Sequence, residues 1–513
     1  MHEYINRSCD IHQMTPQTYP SYFFFIISSK LGITMTYYCS SESLVCTDYL
    51  ELNPENASFY DLLRLLFFNE RTNHFVCPPK FEQDLKSFNY RWLIFVSALL
   101  FKLFRYMKKP MAHIGYFIVT WMNLITNNGG LLRLWLNFFK GKVHMPKESS
   151  ETYRSIIALL DPRADLDPRI QPGHANYEAS LSWMAAKLSY ENSAFIKNVV
   201  EDNWKMELLG DYNFRNDFQA NNSTDAFMAR NISKDKDTIV VAFRGTNPFD
   251  TDDCCADIDI SWFKLTKVGK VHGGFMKALG LQNTKSGVGW PKEMEMGDEQ
   301  QQFAYYKIRQ VLRNIIQENK NAKFIVAGHS LGGALAILFA SVLILHEEKE
   351  LLDRLEGVYT FGQPRVGDEE FGDFMKKQLK TYNVKYCRYV YCNDMVPRLP
   401  YDNKTLLFKH FGSCLYYDSF YQGRELKVEL NKNYISLAWM IPKFMNACWE
   451  LIRSFILTHM KWGPDYKECW FQVIHRVIGL VIPGLSAHGP QDYTNLIRLG
   501  RMAEHHHHEN SIK

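Results

Sequence analysis

Between Trp92 and Phe139, the most apolar part of the chain, no uncharged run reaches the ~20 apolar residues that a membrane-spanning helix needs before it meets polar or turn residues. That argues against an ordinary transmembrane segment there. The 11 cysteines are scattered, with no CxxC pair and no Cys/His spacing of a zinc site, and Cys254 and Cys255 are neighbours. Reduced thiols are the expected state, and no zinc site is called for. A secretory leader is also missing by the usual signs. Tyr22 to Ile27 is short, follows polar residues, and has no basic start or small-residue cleavage site. There is little excess of either sign of charge, since the formal net charge is only +4. Nucleic acid is therefore not expected as a partner, while a weak attraction to an anionic membrane surface is allowed. Repeats and low-complexity tracts are absent too.

What is present is a folded composition, 46% hydrophobic and 14% aromatic, in 513 residues, enough for at least one large core. Residues 1–85 are weakly patterned apart from an amphipathic stretch, Phe59 to Phe68. Two apolar runs follow, Trp92 to Phe101 and Met111 to Ile125, around a basic turn that contains Lys102, Arg105, Lys108, Lys109 and Pro110. Asn127-Asn128-Gly129-Gly130 breaks the pattern before a third apolar piece, Leu131 to Phe139. The expectation is a helical hairpin at 86–145 that inserts into a lipid surface without crossing it, with its cations at the headgroups. A helical pair packed on the protein's own core is the competing reading, and a true transmembrane helix is the third. Residues 146–503 alternate β-type and helical runs, as α/β folds do. Thr238–Phe243, Phe324–Ala327, Gly357–Phe361 and Tyr386–Tyr391 read as strands, and Glu299–Glu318 and Leu331–Leu345 as helices. Residues 504–513 form a polar, His-rich tail.

The chemistry is carried by Lys323 to Ala336, an apolar strand that runs through Gly328-His329-Ser330-Leu331-Gly332 into an alanine-rich helix. A serine in so tight a strand-to-helix turn adopts a strained backbone that only small neighbours tolerate. Its hydroxyl stands at a helix N-terminus, where N–H groups and the helix dipole favour an oxyanion. An ordinary glycine-rich turn would not need the flanking strand and helix. A nucleophilic serine needs a histidine base and a carboxylate to orient it, in the order Ser, acid, His on this kind of fold. Asp394 is the candidate acid because it follows a strand, whereas Asp368 and Asp373 read as surface residues. His488 is the candidate base, in a loop after an apolar run. His410, His459 and His475 are the alternatives, and His329, beside the serine, should pack below the turn. Thr246, at the end of Val240 to Thr246, can offer its N–H and its hydroxyl to the oxyanion, together with the N–H of Leu331. The acidic stretch Asp250, Asp252, Asp253, Asp257 and Asp259 does not match an EF-hand and reads as a solvated lid or loop.

Taken together, Phe243-Arg-Gly-Thr246, Val271-His-Gly-Gly-Phe275, Gly328-His-Ser-Leu-Gly-Gly333, Thr360-Phe-Gly-Gln-Pro-Arg-Val-Gly367, Asn393-Asp-Met-Val-Pro-Arg398 and His488 resemble the class 3, or fungal-type, lipases. Tyr153 to Ile157, Tyr212 to Phe218, the apolar region near 92–139 and Ser486 to Tyr493 are similar to the plant oil-body triacylglycerol lipases. The resemblance implies an α/β-hydrolase fold with a mostly parallel sheet, Ser330, Asp394 and His488 as a triad, and Thr246 with Leu331 as oxyanion donors. It also implies acylglycerol hydrolysis without a cofactor, at the surface of a lipid droplet or the endoplasmic reticulum, with the catalytic part facing the cytosol. A phospholipase A1 or galactolipase, and a catalytically silent lipase-like scaffold, are the alternatives. One departure is the long stretch between acid and base. It contains Ile441, Phe444, Met445, Cys448, Ile452 and Phe455 at helical spacing, which suits a packed helix, a lid or a second lipid contact. Oligomeric state is open.

Overall fold

Two neighbouring strands show why the sheet forms. β5 (Asp237–Phe243) and β10 (Lys323–His329) are apolar and almost wholly buried. Alternate residues point to opposite faces. Ile239, Val241, Phe324 and Val326 enter one core, and Val240, Ala242, Ile325 and Ala327 enter the other. Strands buried on both sides read as continuous apolar runs, which is why they were legible.

The computed structural model describes residues 46–70, 75–77, 86–232, 237–265, 267–284, 287–293, 302–400, 408–427, 437–456, 466 and 468–502. From one edge, the main sheet contains β15 (Arg501–Met502), β14 (Gln422–Leu426), β13 (Cys414–Tyr417), β12 (Lys385–Tyr391), β11 (Leu355–Phe361), β10, β5, β4 (Asn221–Ile232) and β3 (Glu207–Asn216). The run from β5 to β13 is parallel, and β4 and β3 add antiparallel strands at the other edge. A smaller sheet has the order β2 (Val76–Cys77), β1 (Cys46–Leu52), β6 (Trp262–Leu265) and β7 (Gly269–His272), and β8 (Gln282–Thr284) pairs with β9 (Gly287–Gly289).

Numbering the helices used below in chain order, these are α1 (Phe59–Phe68), α2 (Phe88–Asn127), α3 (Leu131–Phe139), α4 (Ile156–Leu160), α5 (Tyr177–Leu188), α6 (Thr251–Ile258), α7 (Gly273–Leu279), α8 (Ala304–Glu318), α9 (Leu331–Leu345), α10 (Glu369–Thr381), α11 (Leu437–Ile456), α12 (Trp470–Val481) and α13 (Pro490–Leu499). Helices α7, α8 and α9 cover one face of the main sheet, and α5 and α13 cover the other. α9 is apolar all round because it is buried all round. The arrangement is an α/β-hydrolase fold, with the expected strands and α9 where the sequence placed them. α8 begins later than expected, at Ala304.

One expectation changes. The basic segment at Lys102 to Pro110 is not a turn, because α2 is one helix of 40 residues, about 60 Å long, that continues through Pro110. Proline removes one helical hydrogen bond and pushes away the carbonyl four residues earlier. Here Tyr106 and Pro110 are both exposed, so water can take that carbonyl. Contacts on either side of the proline tie the helix to α6 and the residues leading into it. Ser97 Oγ donates to Ile258 O at 2.7 Å, Lys108 Nζ lies 2.6 Å from Asp252 Oδ2, and Gly115 packs against Phe249. The break at Asn128-Gly129-Gly130 is present, and α3 follows it.

The described part of the N-terminal region packs on the catalytic half. β1 pairs antiparallel with β6, and Leu50, Leu62, Leu65, Ile94, Phe95 and Trp262 share one core. The His-rich tail and residues 1–45 lie outside the described residues. Cys254, Cys255, Cys387, Cys392, Cys414, Cys448 and Cys469 are free thiols, and among the described residues no helix is long and apolar enough to cross a membrane.

Candidate active site

Ser330 sits between β10 and α9 with φ 58° and ψ −130°, a conformation that costs a non-glycine residue on the order of 1–3 kcal/mol. The two flanking glycines make it possible. A Cβ on Gly328 would collide with the backbone of Gly332, and a Cβ on Gly332 would collide with the carbonyl of Phe243. Ser330 N–H donates to Phe361 O at 2.9 Å, which fixes the elbow against the end of β11. Leu331 opens α9, so its N–H belongs to the first turn, where helical partners are lacking.

Asp394 lies in the turn after β12 and is fully buried. Its N–H donates to Tyr391 O at 2.9 Å, its Oδ1 accepts from Val396 N at 2.9 Å, and Arg398 clamps the turn through the carbonyls of Asp394 and Cys392. Its carboxylate meets His488 Nδ1 at 2.8 and 3.0 Å, across the 94 positions that separate them in sequence. Tyr493, on α13, donates its hydroxyl to Asp394 Oδ2 at 2.6 Å. With Nδ1 donating to the carboxylate, His488 keeps Nε2 as an acceptor. The acid–base pair adjoins the elbow. A Cβ on Gly362, next to Phe361, would lie 2.9 Å from both Asp394 Oδ2 and His488 Cε1.

His329 packs beneath the turn, as expected. Its ring stacks on His488 with centroids 4.5 Å apart, and its Nε2 is 3.1 Å from His488 O. A carbonyl only accepts, so Nε2 carries the proton and Nδ1 accepts from Tyr190 Oη at 2.9 Å. Burial, and then the neighbouring His488, hold the His329 pKa well below the usual imidazole range. A neutral ring here supports the base without repelling a positive His488. Of the alternative bases, His410 is engaged by Pro397 O at 2.7 Å, His475 packs against Gly489, and His459 lies outside the described residues. Asp368 caps α10 through Phe371 N, and Asp373 is exposed beside Lys376.

Thr246 follows β5, as expected, but its hydroxyl is engaged. It donates to Asp257 Oδ2 at 2.7 Å. The acidic stretch is correspondingly not a solvated loop. Thr251 to Ile258 form α6, and its carboxylates have partners. Asp253 binds Arg244 at 3.0 Å and Asn247 N at 2.9 Å, and Asp252 is held by Lys108. Burial pushes the Asp257 carboxyl up to about 6, against the Thr246 hydroxyl and the charge of His488, which pull it down. Asp257, Tyr493 and Tyr190 are the polar groups around the site that sequence reasoning did not single out. Tyr493 stood inside a motif already noted, and Asp257 inside the acidic stretch, but neither spacing reveals its partner.

Comparison with known proteins gives three findings. Residues 240–404, which include Thr246, Ser330 and Asp394 but not His488, match the family model described as lipase (class 3). The chain is 42% identical over 80% of its length to a protein of Nicotiana tabacum named triacylglycerol lipase OBL1, covering 84% of that protein. It is 40% identical over 88% of its length to the protein of that name from Arabidopsis thaliana, covering 95% of it.

Proposed function

The chain belongs to the class 3 lipases, serine ester hydrolases, and on that premise we propose how its residues divide the reaction and where it works. The substrate is triacylglycerol, the class for which the plant relatives are named. His488 takes the Ser330 proton through Nε2, and Ser330 Oγ attacks the ester carbonyl. Asp394 holds the ring and offsets the charge it gains. The N–H groups of Leu331 and Thr246 receive the oxyanion, since the Thr246 hydroxyl is already given to Asp257. His488 then returns the proton to the departing diacylglycerol, leaving an acyl-enzyme. Water, deprotonated by the same ring, releases the fatty acid and restores Ser330.

The observation that carries this assignment is the Asp394–His488 contact set one residue from the carbonyl that holds Ser330 N. Ser330→Ala should lower turnover of emulsified triolein by on the order of 10⁶. Near wild-type turnover by that variant removes the assignment. Triolein should outrun phosphatidylcholine and galactolipid in a side-by-side panel. The reverse order makes the chain a phospholipase or galactolipase of the same family, and an inert wild type makes it a scaffold.

The place of action is the cytosolic surface of lipid droplets or the endoplasmic reticulum, reached through residues 86–145. Support comes from α2 and α3. Trp92, Leu103, Tyr106, Phe117, Leu132, Trp135 and Phe139 are exposed on them, α3 buries no residue at all, and lysines and arginines intervene.

A further inference from the structure

Helices α11 and α12 are built inside out. Every charged side chain they carry, Lys443, Glu450, Arg453 and Arg476, is buried to 2% exposure or less. Large apolar side chains face outward instead, with Ile441 at 75%, Met445 at 63%, Trp470 at 77% and Val481 at 82%. A helix on a water-facing surface shows the opposite pattern.

Three of the inward charges, Glu450, Arg453 and Arg476, meet in one network with Asp492 and Glu468. Asp492 accepts from Arg453 and from Arg476 at 2.7 Å, and Arg476 also meets Glu468 at 2.7 Å and Glu450 at 3.3 Å. This network fixes both helices to α13, whose next residue, Tyr493, holds Asp394. Gly479 of α12 packs against Ser486, two residues before His488. The outward face is therefore rigidly joined to the segment that carries the base. On its other side, Cys469 Sγ, at the start of α12, lies 3.2 Å from the carbonyls of Leu159 and Leu160 in α4, and α4 adjoins α2.

From this geometry we propose that the outward face of α11 and α12 is a second lipid-docking surface, and that its occupant is the uncharged acyl phase. The proposal rests on the lipase reading and adds to the α2–α3 contact. The charge pattern selects the occupant. A protein partner is usually met by a polar rim around an apolar centre, and an anionic headgroup layer by lysine and arginine. These helices expose neither kind of charge. Two apolar surfaces then flank the active site, one basic and one uncharged, so that the carboxyl end of the sheet is held against lipid from both sides.

The test uses the full chain and triolein droplets coated with phosphatidylcholine, at low and high salt. Its variant is Ile441→Ser with Trp470→Ser and Val481→Ser, all at exposed positions outside the catalytic machinery. Partition of the variant should fall at least tenfold relative to wild type, and by the same factor at both salt concentrations. Turnover of a water-soluble short-chain ester should stay within twofold. A second measurement needs no loss of function. Brominated acyl chains should quench more fluorescence in wild type than in Trp470→Phe.

Equal partition of variant and wild type overturns the proposal, as does a difference that disappears at high salt. A wild-type dimer that the triple variant dissociates, with partition unchanged, would assign the face to a second copy and also overturn it. Failure of the lipase reading looks different. The wild type would then hydrolyse no ester, while the partition difference could still be read.

Discussion

Tyr493 donates its hydroxyl to the same carboxylate oxygen of Asp394 that lies 2.8 Å from His488 Nδ1, so the acid is held from two sides. A buried carboxylate with one lone-pair direction unmet would drift or rotate, and the imidazole would follow it. Tyr493→Phe should lower kcat about tenfold and leave KM within twofold, because the lost bond orients the base and touches no substrate. Steady-state kinetics on a soluble ester separate the two constants. A rise in KM with unchanged kcat would assign Tyr493 to substrate binding instead.

A pH signature follows from Asp257. Its folded pKa of about 6 lies above the ordinary aspartate value of 3.8, so the folded state binds the proton more tightly than the unfolded chain. The stability this contributes is complete below about 4 and is lost as pH rises through 6. Asp257→Asn keeps a polar partner for Thr246 and removes the titration. The variant should therefore gain on wild type by about 2 kcal/mol between pH 4 and pH 8, allowing for partial exposure of the side chain. Urea unfolding at the two pH values measures it, and a constant difference contradicts it.

The network around Asp492 makes a sharper stability claim. Arg476→Met leaves Asp492, Glu450 and Glu468 buried with Arg453 as the remaining guanidinium of the group, and should cost about 3–5 kcal/mol. The expected result is a large fall in the urea midpoint. A change within experimental error would mean that the carboxylates are solvated in solution.

The apolar face of α3 can be tested without disturbing the core, since none of its residues is buried. Leu132→Ser with Trp135→Ser and Phe139→Ser should release most of the protein from lipid droplets in cells. Soluble-ester turnover should be unchanged. Droplet association equal to wild type removes the anchor.

What the sequence revealed, and what it hid, divides along the length scale of the interactions. The elbow was legible because strand, glycines, serine and helix are contiguous, and each residue type answers a local constraint. β5 and β10 were legible because burial on both faces leaves an almost unbroken apolar run. Asp394 and His488 were placed through chain order and family motifs, since nothing in their own neighbourhoods states that they meet. The pairs Thr246–Asp257, Tyr190–His329 and Tyr493–Asp394 are set by tertiary packing and have no sequence period. Pro110 misled for a related reason. A proline inside a helical pattern is a reasonable stop, but contacts from Ser97, Lys108 and Gly115 to α6 and its approach override it. The inward charges of α11 and α12 were invisible because hydrophobic spacing identifies an apolar stripe without saying which side of the helix meets the core.

The most direct measurement is the mass of a fluorophosphonate adduct, mapped to its peptide on the folded, active protein. A single adduct on Ser330 is predicted, with its rate of formation reduced by at least a hundredfold in His488→Ala. An esterase-active preparation whose adduct lies on another serine, or which forms none at Ser330, contradicts the account.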